Sequence, residues 1–72
     1  MKGVIIIGAS GHAKVCLDIL QIQGRKVVGF CDDNPRLIGQ KIHGIEVIGS
    51  ISSLLPEMHN YDIFIGIGDN ND

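Results

Sequence analysis

Val4-Ile5-Ile6-Ile7-Gly8-Ala9-Ser10-Gly11-His12-Ala13 is the stretch on which the fold turns. Four consecutive β-branched residues closed by a glycine read as a strand buried on both faces, the habit of central strands in parallel sheets. A small-residue loop follows, and the apolar spacing then changes from continuous to helical. From His12 to Gln23, Val15, Cys16, Ile19, Leu20 and Ile22 recur at helical intervals, while Lys14, Asp18 and Gln21 fall mostly on the other side. The pattern predicts an amphipathic helix whose inner face carries those five apolar residues.

Working outward, Gly24 is placed to end that helix, and Lys26-Val27-Val28-Gly29-Phe30-Cys31 forms a second strand that stops at Asp32-Asp33. Strand, helix and strand make one crossover unit, so the two strands are expected to run parallel with the helix on one face. Asn34-Pro35 is a turn signal, and residues 36 to 43 read as a loop leading to a short strand around Ile45-Glu46-Val47-Ile48. Ser50 is a candidate N-cap for a brief helix over Ile51 to Leu55, which Pro56 cuts short or kinks. Tyr61-Asp62-Ile63-Phe64-Ile65-Gly66-Ile67 is a further apolar strand, ending at Gly68-Asp69-Asn70-Asn71-Asp72. An open α/β sheet calls for a covering helix next, so the reading at this stage is of a fragment, incomplete at its C-terminus and inclined to self-associate through the uncovered last strand. The expected class is a small Rossmann-like open parallel sheet with flanking helices, a single domain over residues 1 to 72.

Composition narrows the function. The formal net charge is −2, and no basic cluster is interleaved with the three aromatic residues, which argues against a nucleic-acid partner. The apolar run at the start is too short for a signal-peptide core or a membrane span, so the expectation is a cytoplasmic protein with no membrane partner. Cys16 and Cys31 lack C-x-x-C or zinc-ligand spacing and read as reduced core residues. Three scattered histidines, with His43 and His59 in polar loops, do not make a metal site. A chain of 72 residues buries only about 60 to 65% of its unfolded surface, which makes its core marginal.

The chemistry sits on the strand ends. Gly8 permits a tight turn, Gly11 lets an anionic ligand approach the backbone, and Ala13 is small enough for the helix to pack closely on the sheet. Backbone N–H groups and the positive helix end face that ligand. Ser10 and His12 are placed to donate hydrogen bonds to a phosphate or substrate. A Ser10–His12 nucleophile pair has no evident orienting carboxylate. Asp32 and Asp33 fall about twenty residues beyond the loop, where an acid accepts from ribose hydroxyls. One of the two is expected to meet the ribose or base. The other starts the Asn34-Pro35 turn or stays solvated. Two acids there repel a 2′-phosphate and disfavour NADP. Gly66-Ile67-Gly68-Asp69-Asn70 closes the last strand on the same edge and forms the opposite wall, unless Asp69 and Asn70 cap a following helix.

Taken together, Gly8-Ala9-Ser10-Gly11-His12, the Asp32-Asp33 pair and Ile65-Gly66-Ile67-Gly68-Asp69-Asn70 resemble the N-terminal domain of sialic-acid and bacillosamine-type sugar O- or N-acetyltransferases, a branch of the hexapeptide-repeat acyltransferases. The resemblance covers nearly the whole chain. It implies that a UDP- or CMP-linked sugar is the partner, with Gly8, Ser10, Gly11 and His12 at the phosphates or sugar, Asp32 and Asp33 at the uridine, and Gly68 with Asn70 as the far wall. It also implies that acetyl-CoA binds, as co-substrate, to a following left-handed β-helix that assembles a trimer and carries the general-base histidine. No series of hexapeptide repeats occurs in these residues, so none of them is expected to be catalytic or to bind a cofactor or metal, and the domain is expected to bind without catalysing. Two other readings remain at this stage. The opening unit of an NAD-dependent oxidoreductase or epimerase fits the position of Asp32, but G-x-G-x-x-G would need glycine at Ser10 and Ala13. A non-catalytic nucleotide-binding module is the third.

Overall fold

A computed structural model describes residues 2–9 and 11–66. The elements run β1 (Val4–Ile7), α1 (Ala13–Ile22), β2 (Val27–Cys31), β3 (Lys41–Ile42), β4 (Ile45–Gly49), α2 (Ile51–Leu54), a 3₁₀ segment (Leu55–Asn60) and β5 (Asp62–Ile65). They build one sheet in the order β3-β4-β2-β1-β5, in which β4, β2, β1 and β5 are parallel and only β3 is antiparallel, against β4. The expected small Rossmann-like α/β sheet with flanking helices is what forms.

Strand periodicity explains the two-sided core. Alternate side chains point to opposite faces, so Val4 and Ile6 pack with Ala13, Cys16, Leu17 and Leu20 of α1, together with Phe30 and Val47. Ile5 and Ile7 turn the other way, joining Cys31 and Leu54, with Ile51, Tyr61 and Ile63 at the margin. All four β1 residues are buried, which is why the sequence shows an unbroken apolar run there. At the opposite end of the sheet Arg25 pairs with the Asp62 carboxylate and reaches the Lys2 carbonyl, fastening the chain after α1 to the start of β5.

Two expectations need correction. The inner face of α1 is Ala13, Cys16, Leu17 and Leu20, whereas Val15, Ile19 and Ile22 face solvent, Ile22 being 86% exposed. Apolar residues ring so much of this helix that spacing alone fits two stripes, and the small Ala13 decides between them by letting α1 lie close on the sheet. Residues 36 to 43 are also more than a loop: Leu37 packs on the core and Lys41–Ile42 pairs with Ile45 and Glu46 across a His43-Gly44 turn. Both central residues have positive φ, 53° at His43 and 83° at Gly44, as a type I′ hairpin requires. His43→Val should therefore lower stability by about 1 to 2 kcal/mol, because a β-branched side chain is strained in that region, while His43→Gly should not. Urea unfolding of the two variants checks this, and equal midpoints would contradict it.

The cysteines are free and buried, as expected. Burial pushes both thiols up from their ordinary value of 9.0. A thiol kept neutral in the fold but free to ionise when unfolded contributes stability below its ordinary pKa and loses it as pH rises through the raised folded value. Stability should accordingly fall as pH climbs above about 9. The matching chemical result is slow native alkylation by iodoacetamide at pH 8, with labelling of both cysteines at full speed only in denaturant. Equal labelling rates in the two states would contradict the burial.

Candidate functional site

Parallel strands bring their carboxyl ends to one edge. Reading along the chain, β2 and then β4 add on one side of β1, and β5 returns to the other, so the direction of winding reverses between β1 and β5. Such a reversal leaves a crevice at the carboxyl edge, the usual ligand position in open α/β sheets. At this edge β1 ends into Gly8 and Ala9, and the neighbouring β5 ends into Gly66.

Gly8 leaves β1 with φ +101°, a conformation that side chains resist, and its N–H donates to the Cys31 carbonyl at 2.8 Å. The buried Ala9 follows and Gly11 is exposed. A Cβ added at Gly11 would meet none of the described residues within 4 Å, and its φ lies outside the positive region. The glycine thus opens space outward without being needed for the turn. His12 occupies the N-cap position of α1 with an exposed side chain that makes no capping hydrogen bond, and no acid lies in the first turn. Among the described residues, therefore, no side chain caps this helix start, whose backbone N–H groups carry its partial positive charge. Lys14, in the first turn of α1, is paired with Asp18 at 2.9 Å along the outer face of the helix.

The acid pair is tied into the protein itself. Asp32 is half-buried, and its Oδ2 accepts from the Ala9 N–H at 2.9 Å while its Oδ1 accepts from the Asn34 N–H at 2.8 Å. Its own N–H donates to the Gly49 carbonyl at 3.0 Å. Asp33 accepts from the Ile51 N–H at 3.1 Å, at the start of α2, where Ser50 also caps by accepting from the Ser53 N–H at 3.1 Å. Turn chemistry and strand fastening therefore engage both carboxylates, and the loop after β4, which sequence reasoning left out of the site, joins the same edge through them. On the far wall the Gly66 N–H donates to the Ile7 carbonyl at 2.7 Å. A Cβ at Gly66 would lie 2.7 Å from Ile6 Cγ2 and 3.2 Å from Cys16 Sγ, so only glycine allows this approach. Ser10, Ile67, Gly68, Asp69 and Asn70 lie outside the described residues.

A separate cavity of about 220 Å³ sits on the α2 face, lined by Cys31, Ile48, Ser53, Leu54, Glu57 and Tyr61, none of which the sequence singled out for a ligand. Among the described residues no helix is long and apolar enough to cross a membrane, and no three His, Cys, Asp or Glu side chains gather as a metal site.

Comparison with known proteins agrees with the motif resemblance. An uncharacterized protein of Acanthamoeba polyphaga mimivirus, L142, is 37% identical over 67 residues, which are 93% of this chain and 13% of that protein. The chain thus spans a small part of the curated relative it matches. The profile of the PglD N-terminal domain matches residues 3–72, nearly the full length. On that match over nearly its whole length, the chain belongs to the PglD N-terminal domain family.

Proposed function

We propose that this domain binds the nucleotide part of a UDP- or CMP-linked sugar and serves as the substrate domain of an acetyl-CoA-dependent sugar O- or N-acetyltransferase. The observation that carries the reading is the start of α1, where His12 makes no capping hydrogen bond and Gly11 leaves room outward, at the winding reversal of the sheet in a chain of the PglD N-terminal domain family. A diphosphate has the charge and size to accept hydrogen bonds from backbone N–H groups there. Gly8, Ser10, Gly11 and His12 are the residues assigned to it, with Gly68 and Asn70 on the opposite side. In this reading the acetyl group moves from the thioester of acetyl-CoA to an amine or hydroxyl of the sugar at a site elsewhere in the protein, within a homo-oligomer. The thiol of coenzyme A leaves, and a general base takes the proton of the attacking group. The described residues supply binding and orientation.

Calorimetric titration with a UDP-sugar, CMP-sialic acid, NAD and acetyl-CoA in parallel tests this. Binding of a sugar nucleotide alone is expected. Binding of NAD alone would replace the proposal with the oxidoreductase reading, and heat from acetyl-CoA alone would refute the division of labour.

A further inference from the structure

We infer that Asp32 is a positioning residue for the loop at Gly8 to His12, rather than the acid that reads a ligand's ribose. The inference deepens the nucleotide-binding reading of this edge and rests on it. An acid at the tip of the second strand is usually free to accept from ribose hydroxyls. Here each oxygen of the Asp32 carboxylate already accepts a backbone N–H, Ala9 at 2.9 Å and Asn34 at 2.8 Å. The Ala9 bond spans 23 residues of sequence and is partly buried. It clamps the loop at the residue that follows the tight turn at Gly8 and precedes the segment leading to the exposed Gly11. With the neighbouring Gly8 N–H held by Cys31, the loop is anchored to the end of β2 at two successive residues. A charged acceptor makes such a bond stronger than a neutral one, so the acid's charge stiffens the loop from behind.

The consequence for binding has a distinctive sign. A nearby carboxylate repels a polyphosphate, so removing its charge should tighten binding, as it would for Asp33, whose carboxylate accepts from the Ile51 N–H and, among the described residues, from none of the loop. If Asp32 positions the loop, removing its charge should weaken binding instead, even for a ligand that has no ribose.

The test uses inorganic pyrophosphate and UDP with the full chain. Asp32→Asn is expected to weaken pyrophosphate about tenfold, while Asp33→Asn leaves it unchanged or tighter. Equal or tighter binding of pyrophosphate by Asp32→Asn would overturn the inference. The unsubstituted protein gives a second reading that does not depend on a variant folding: scalar coupling across the hydrogen bond from the Ala9 N–H to the Asp32 carboxylate, observed by NMR. Its persistence when UDP saturates the site is the expected result, and its loss on UDP binding would show ribose hydroxyls displacing the loop. Failure of both UDP and pyrophosphate to bind would instead refute the nucleotide reading, while the coupling in the free protein would still uphold or overturn the tether.

Discussion

Phe30→Ala is expected to remove about 3 to 5 kcal/mol of stability, the cost of emptying a fully buried aromatic position. Phe30 is 0% exposed, on a strand flanked by β1 and β4, in the cluster that joins α1 to both. A chain of 72 residues has roughly 4 to 11 kcal/mol in total at typical stability per residue, so the substitution takes about a quarter of it or more. At about 4 to 8 °C per kcal/mol for a domain of this size, the Tm should fall by more than about 12 °C. Ile22→Ala is the contrasting case, because Ile22 lies on the solvent face of α1, and its change should stay within about 0.5 kcal/mol. Thermal unfolding followed by circular dichroism measures both. A loss at Ile22 as large as that expected at Phe30 would show that the solvent face of α1 has been assigned wrongly.

Gly11→Val should abolish or weaken sugar-nucleotide binding by at least about tenfold, or 1.4 kcal/mol, with the Tm nearly unchanged. The separation follows from the site's geometry. A Cβ at Gly11 meets no atom of the described residues within 4 Å, so their packing has no reason to object to it. In the proposed function the same space is where a phosphate comes to reach the N–H groups at the start of α1, and a branched side chain would hold it away. Gly8→Val is expected to do the opposite, lowering the Tm first, because φ at Gly8 is +101°. Calorimetry and thermal melts on the two variants separate the effects. Undiminished affinity in Gly11→Val would place the ligand away from this loop.

Much of the architecture was legible in the residues. The run Val4 to Ile7 could bury on both faces only as a central strand, and Gly8, Ala13 and Gly24 marked where strand, helix and turn had to meet. The Asn34-Pro35 turn and the Ser50 cap also stand where their side-chain chemistry places them. The orientation of α1 was not legible, because Ala13, Val15, Cys16, Leu17, Ile19, Leu20 and Ile22 leave few positions around the helix polar. The β3–β4 hairpin was missed for a related reason. Its turn holds histidine where asparagine is the usual signal, and two residues are too few to show alternation. For the site, position along the chain located the edge and the loop, but the task of Asp32 depended on a partner 23 residues away, which no local pattern records.

The most direct test of the central claim is a two-dimensional amide NMR titration of the chain with a UDP-sugar. The account predicts saturable shifts concentrated at Gly8, Gly11, His12, Ala13 and Gly66, with Ile48, Glu57 and Tyr61 of the α2-face cavity undisturbed. Shifts centred on that cavity, or none at saturating ligand, would contradict a sugar-nucleotide site on the carboxyl edge of the sheet.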